Sequence, residues 1–222
     1  MGYQWNFDWL AGYLPILLKG ISITVELIAV GAALGVSLGI ACAWVRTLGP
    51  AWLRPFVSAY VELIRNTPFL IQLFFIFFGL PSLDLQLTAL EAANLAMVVN
   101  LGAYSCEIIR AGIQATPRGQ FEAGKSLAMT PFQTFRHVVL VPALQRIWPA
   151  LASQIVIVML GSSVVSQISV EDLTFAANFV QSRNFRAFET YAVATLTYLV
   201  LAIMLRKVLD GVGWLVFPRR KA

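Results

Sequence analysis

Charged side chains are scarce in this sequence. Only 12% of its 222 residues are Asp, Glu, Lys or Arg, against about 25% in an ordinary soluble domain, so the chain cannot cover itself with a water-facing surface. Acids number 11 and bases 16. The net charge of +5, in so apolar a chain, points to cytoplasmic loops rich in Lys and Arg rather than to a nucleic-acid-binding surface. No nucleic-acid partner is expected. Cysteine is nearly absent. Cys42 and Cys106 each lie in an apolar stretch, fit no metal or redox spacing, and read as small buried residues. The single histidine, His137, has no ligand-spaced neighbour, so no metal centre is expected. Met1 to Lys19 lacks a basic start and an early apolar core, so no cleavable signal is expected.

Apolar side chains are what the sequence has in abundance, at 59% of residues. Such a composition indicates an all-α membrane protein with several spans and membrane lipid as its solvent. Stretches of about 20 mostly apolar residues place five spans at approximately 21–45, 58–80, 89–110, 149–169 and 189–209 in a single transmembrane domain covering 1–222. The second is the least regular, with Pro68 and Gly79 as punctuation. With the N-terminus outside, the inner side receives Arg46, Arg54, Arg65, Arg110, Arg118, Lys125, Arg136, Arg146, Arg206, Lys207, Arg219, Arg220 and Lys221. The outer side receives only Lys19, Arg183 and Arg186. The positive-inside bias therefore predicts an outer N-terminus, a cytoplasmic C-terminus and a cytoplasmic loop at 111–148. In the first span Gly31, Gly35 and Gly39 recur at four-residue spacing, which lets helix backbones approach closely, within the chain or at a subunit interface.

The loop at 111–148 carries a formal match to the phosphate-binding pattern G-x-x-x-x-G-K-[ST], from Gly119 to Ser126. That pattern works where a buried strand leads into a helix N-terminus whose N–H groups surround phosphate. Here a membrane span leads in, and no later strand ends in an Asp for the metal. A membrane NTPase is thus the weaker alternative, beside a secondary transporter or channel. The segment instead predicts a short helix bearing apolar side chains in excess of what a solvated loop needs, with Phe121, Leu127, Phe132 and Phe135 suited to docking on a partner or to packing against the protein's own helix ends.

Several motifs together resemble the membrane-spanning permease subunits of ABC importers, in the branch for polar amino acids such as histidine, glutamine and arginine. The loop is similar to that family's Glu-Ala-Ala-x-x-x-Gly motif followed by Ile-x-Leu-Pro, here Glu122-Ala123-Gly124, then Ala128, then Val138 to Pro142. Gly124 stands for the second Ala, Ala128 for the Gly, and Pro142 falls one residue late. Arg65-Asn66-Thr67-Pro68 through Phe75 is similar to the branch's Arg-Gly-Thr-Pro segment, and Ala103-Tyr104 through Ile113 to its Ala-Tyr-x-Ala-Glu segment. Pro117 to Gln120, Ser162 to Leu173 and the run from Phe185 to Tyr191 extend the likeness over nearly the whole chain.

The resemblance implies a bacterial inner-membrane transport subunit with no catalysis of its own. Its implied partners are two ATPase subunits, a second permease (identical or paralogous) and a periplasmic amino-acid-binding protein. ATP and Mg²⁺ would be held by the ATPases, and no cofactor by this chain. It also implies that the loop helix couples to the ATPase through Glu122, Ala123, Gly124 and Lys125, with Phe121 and Leu127 as apolar anchors and a small residue at Ala128. Polar side chains at membrane depth suggest a substrate route: Thr67, Gln72, Asn100, Tyr104, Glu107, Ser163, Ser166 and Gln167. Each also suits an interhelix hydrogen bond, and Glu107 suits an i,i+3 pair with Arg110. Glu26, near the outer end of the first span, suits either attraction of a cationic substrate or a plain interfacial role.

Overall fold

The computed structural model describes residues 4–217, and every element in it is helical. Arg219, Arg220 and Lys221, three of the expected inner cations, lie outside the described residues. Helix α1 spans Leu10–Thr47, α2 Arg54–Arg65 and α3 Phe69–Phe74, which continues through a π-helical segment, Phe75–Gly79, and a 3₁₀ turn, Leu80–Leu83. Then come α4 (Ala89–Gln114), α5 (Arg118–Ser126), α6 (Pro131–Thr134) with a π segment (Phe135–Val139), and α7 (Leu140–Gly161) with a 3₁₀ tail (Ser162–Ile168). Helices α8 (Leu173–Asn184) and α9 (Ala187–Val216) close the chain. Four helical stretches are long and apolar enough to cross a membrane, and the bent pair Ala51–Arg65 and Phe69–Leu83 makes a fifth if counted as one span.

Three of the expected spans are longer than hydropathy suggested. Helix α1 starts at Leu10 rather than near 21 and has 38 residues, about 57 Å at 1.5 Å per residue. Pro15 sits in the second turn, where it removes the bond to the Ala11 carbonyl without ending the helix. Gly20 is an approach site: a Cβ there would come within 2.8 Å of the Asp172 carbonyl oxygen. The fourth span runs as a continuous helical stretch over Pro131–Ile168, through Pro142 and beyond the expected 149–169. Pro142 has no N–H to donate to the Val138 carbonyl, and the π segment Phe135–Val139 sits directly before it. A π segment also precedes Pro81. In both places the ladder widens where a proline removes a donor. The last span, α9, likewise runs from Ala187 to Val216, beyond the expected 189–209.

The second span is the main departure from the expected straight crossing. It breaks at Asn66–Pro68, and its halves are bent by 112°. Pro68 biases Thr67 away from helical geometry, and side chains add hydrogen bonds to the last carbonyls of α2, among them Glu62 O, which also keeps its bond from Asn66 N. Asn66 Nδ2 donates to Glu62 O at 2.8 Å and Thr67 Oγ1 to Leu63 O at 2.8 Å.

Helix α4 is the central post. A capping box of Thr88 and Glu91 starts it, and it packs along α1. Gly31, Gly35 and Gly39 all face it: a Cβ would meet Met97 at 3.4 Å, Leu101 at 3.0 Å and Ser105 at 2.5 Å, respectively. The glycine row therefore serves packing within the chain. The middle core gathers Leu27, Leu73, Met97, Leu101, Leu151 and Ile155. A second core at the α5 end holds Cys42, Val61, Cys106, Ile109 and Phe135, with both cysteines buried and free as expected. A third, at the opposite end, joins the start of α1 to α8 through Leu17, Leu173, Ala176 and Val180.

Candidate translocation path and coupling surface

The break in the second span opens a cleft of about 330 Å³ between α4 and α7. Thr67 and Pro68 come from the break, Asn100 and Tyr104 from adjacent turns of one α4 face, and Gln154 and Gly161 from α7. The size suits a small polar molecule. Its polar lining is neutral, while the Arg65 guanidinium lies over the Tyr104 ring at 5.6 Å from the centroid.

Gln72 stands behind this cleft rather than in its lining. It is buried, and its amide nitrogen donates to Ile64 O at 2.7 Å, Thr67 O at 3.0 Å and Thr67 Oγ1 at 2.9 Å. Its Oε1 accepts from Asn100 Nδ2 at 2.9 Å. One side chain thus fixes the free end of α2, the break and the α4 wall together. Glu107 is engaged as an ion-pair centre. Arg110 donates to its Oε2 through Nε at 3.0 Å and Nη2 at 2.7 Å, and Arg46 of α1 holds its Oε1. The i,i+3 pair was legible; the partner on α1 was not. Ser163, Ser166 and Gln167 lie on the 3₁₀ tail of α7, outside the cleft lining. Ser166 Oγ donates to Ser163 O at 3.0 Å, and Gln167 is exposed. Glu26 is exposed on α1.

Two groups of residues escaped sequence reasoning. Gln154 is one, next to Ser153 in an otherwise apolar run, and its helical phase places it in the cleft with Asn100 and Tyr104. The other centres on Asp172. This carboxylate caps α8, accepting from Phe175 N at 2.9 Å, and also accepts from Tyr198 OH of α9 at 3.1 Å. Thr24 of α1 accepts from the neighbouring Leu173 N at 3.1 Å. Burial pushes the Asp172 carboxyl above the ordinary aspartate range, against these hydrogen bonds, which lower it. An Asp just ahead of an apolar run is a readable N-cap signal; its contacts to α1 and α9 are not.

The loop helix is present where expected, as α5. All of Gly119–Ser126 lies inside it, so most N–H groups of the phosphate-loop look-alike belong to the helix itself. Helix α5 rests on the second core through Gly124, its one buried residue. A Cβ at 124 would come within 2.7 Å of both Cγ2 and Oγ1 of Thr134. Phe121 also packs inward on that core, which differs from the expectation that it reaches for a partner: it is the apolar residue on the face that Gly124 buries. Glu122, Ala123, Lys125, Ser126, Leu127 and Ala128 are exposed, Leu127 by 74%. The helix ends in a Schellman motif: Met129 N donates to Gly124 O at 3.0 Å and Ala128 N to Lys125 O at 2.9 Å, with Ala128 left-handed at φ 53°.

A bundle of membrane-crossing helices, a polar cleft at a broken span and a short exposed helix between two spans define the class: a multi-pass membrane permease. The chain belongs to the family described as "Binding-protein-dependent transport system inner membrane component", which matches residues 35–217. It is similar to "Glutamine transport system permease protein GlnP" of Escherichia coli (strain K12), with 32% identity over 212 residues, 94% of this chain and 95% of that protein. It is also similar to "Probable glutamine ABC transporter permease protein GlnM" of Bacillus subtilis (strain 168), with 36% identity over 168 residues, 76% of this chain and 78% of that one. Among solved structures it superposes on "Crystal structure of an amino acid ABC transporter with histidines" with a TM-score of 0.83 and 34% identity, covering 95% of this chain and 99% of that one. A methionine ABC transporter, MetNI, shares the fold at a TM-score of 0.76 and 20% identity. The resemblance read from the loop and span motifs is therefore met over nearly the whole chain, and the family's role is transport.

Proposed function

We propose that this chain is the permease subunit of an ATP-driven importer of a polar amino acid in a bacterial inner membrane. It pairs with a second permease, receives substrate from a periplasmic binding protein, and is driven by two ATPase subunits that hold ATP and Mg²⁺. The N-terminus lies outside and α5 inside. Supporting the substrate class are relatives named for glutamine transport and the neutral hydrogen-bonding side chains of the cleft. Thr67, Asn100, Tyr104 and Gln154 offer donors and acceptors suited to an amino acid's polar groups, and Gln72 holds two of them in place.

The observation that carries the coupling assignment is the two-sided α5. Gly124 and Phe121 fix it to the body of the permease, while Glu122, Ala123, Lys125 and Leu127 are presented outward. A rigid helix seated in a partner's cleft transmits motion because its contacts differ between the partner's open and closed states, and only such a difference shifts the equilibrium between inward and outward access. The test is a reconstituted complex with its ATPase. Glu122→Ala is expected to lower transport and substrate-stimulated ATP hydrolysis by about tenfold, roughly the loss of one charge-assisted contact. Unaltered transport together with unaltered ATPase association would remove α5 from the coupling role.

A further inference from the structure

Where α7 begins and α9 ends, the two helices leave a cavity of about 500 Å³ that shares no residue with the cleft at the broken span. Three aromatic rings line it, Trp148 from α7 with Trp214 and Phe217 from α9, and the Asp210 carboxylate and Gln145 amide stand among them. Gly213 makes the arrangement possible, because a Cβ there would come within 2.3 Å of Trp148 Nε1. Trp148 therefore lies close on the α9 backbone. Its Nε1 donates to Leu209 O at 2.9 Å, and the buried Phe217 meets its ring in a T-shaped contact at 5.5 Å. Trp214 is 73% exposed and stands at the rim. Asp210 is only loosely engaged. Arg206, one turn earlier on α9, stands 3.7 Å from it and gives its Nη1 to Ser153 Oγ at 3.1 Å.

We propose that this cavity holds the headgroup of a phospholipid bearing a primary amine, a phosphatidylethanolamine. A carboxylate beside aromatic faces is a site for an ammonium group. The rings attract it through their quadrupoles, and Asp210 and the Gln145 carbonyl oxygen accept its N–H bonds. A neutral or anionic headgroup gains from neither. The order of side chains along α9 matches the order of groups in such a lipid. Asp210 and Trp214 come first, for the ammonium. Arg206, one turn further into the apolar run, keeps N–H donors for the phosphate beyond the one given to Ser153. Past it, Met204, Ile203, Val200 and Leu199 are exposed, an apolar face for acyl chains. Tryptophans belong at this boundary between headgroups and hydrocarbon. A free amino acid would offer the ammonium without the tails, and so would use only the first of these zones. The assignment rests on α7 and α9 crossing the membrane, not on the importer reading.

The experiment uses the full chain, purified in detergent with the subunits that accompany it and stripped of lipid. It is titrated with short-chain phosphatidylethanolamine or phosphatidylglycerol, and bound lipid is counted by native mass spectrometry. The wild type is expected to bind phosphatidylethanolamine about tenfold more tightly than phosphatidylglycerol. Asp210→Asn is expected to weaken phosphatidylethanolamine about tenfold and Trp214→Ala about threefold, with phosphatidylglycerol binding unchanged in both. Both side chains are exposed, so the melting temperature should stay at the wild-type value, which separates loss of the site from loss of the fold. Equal wild-type affinity for the two lipids, or a preference that survives both substitutions, overturns the proposal. So does displacement of the lipid by a large excess of free glutamine, which would make the cavity a site for a soluble amine.

Discussion

At Ala128 the backbone turns left-handed because α5 must end within one residue to let Pro131 begin the next element. The family pattern that this loop resembles has Gly there, and the structure supplies the reason: the position is the C′ residue of a Schellman motif. Ala128→Gly is therefore expected to stabilise the protein by about 1 kcal/mol, a rise of about 2–4 °C in the melting temperature of a chain this size, read by thermal unfolding in detergent. Gly124 shows the converse. Its weak helix propensity made it look like a soft point, yet it is where Thr134 presses on α5. Gly124→Ala is expected to destabilise by about 1–3 kcal/mol, and adding Thr134→Ala should recover more than half of that. Strict additivity in this double-mutant cycle would mean the two residues do not meet. Both positions were visible in the sequence as departures from a pattern. The contact that explains Gly124 was not, since it depends on the turn between two helices.

At the scale of the element, each long apolar helix falls on an expected span, but hydropathy misjudged how the chain handles its prolines. Pro15 lies inside a continuous helix and Pro142 follows a π segment, whereas Pro68 breaks the second span outright. What differs at Pro68 is the set of partners waiting for the freed carbonyls. Thr67 and Gln72 take them, so the bend leaves fewer polar groups exposed to hydrocarbon, where each is costly. Gln72 alone donates to three oxygens and accepts from Asn100. Gln72→Leu should cost about 1–3 kcal/mol, the penalty of leaving buried polar groups without a partner. Gln72→Glu should fare no better, because an ionised carboxylate cannot donate to the carbonyls. Thermal unfolding of both variants checks this. Stability equal to wild type would mean that the break is held by Pro68 alone. A residue assigned to the substrate route by its polarity is thus better read as the clamp that shapes the route, a distinction that needs hydrogen-bond partners rather than sequence position.

For the whole molecule, the decisive quantity is the distribution of charge along a chain that has little of it. Of the sixteen bases, the ones around α5 fall at the opposite end of the bundle from Lys19, Arg183 and Arg186, and the positive-inside bias then orients the protein. Orientation decides the proposed function, since the coupling role proposed for α5 requires it to lie inside. The native cysteines make the test clean. Cys42 and Cys106 are both buried, so the unmodified protein should react weakly with a bulky, membrane-impermeant maleimide. Ser126→Cys places a thiol on the exposed end of α5, and Ser182→Cys places one on the exposed face of α8. In intact spheroplasts Ser182→Cys should label and Ser126→Cys should not. After permeabilisation both should label to a similar extent. The reverse pattern would turn the molecule over, strip α5 of its access to a cytoplasmic ATPase, and leave the charge bias without its usual meaning.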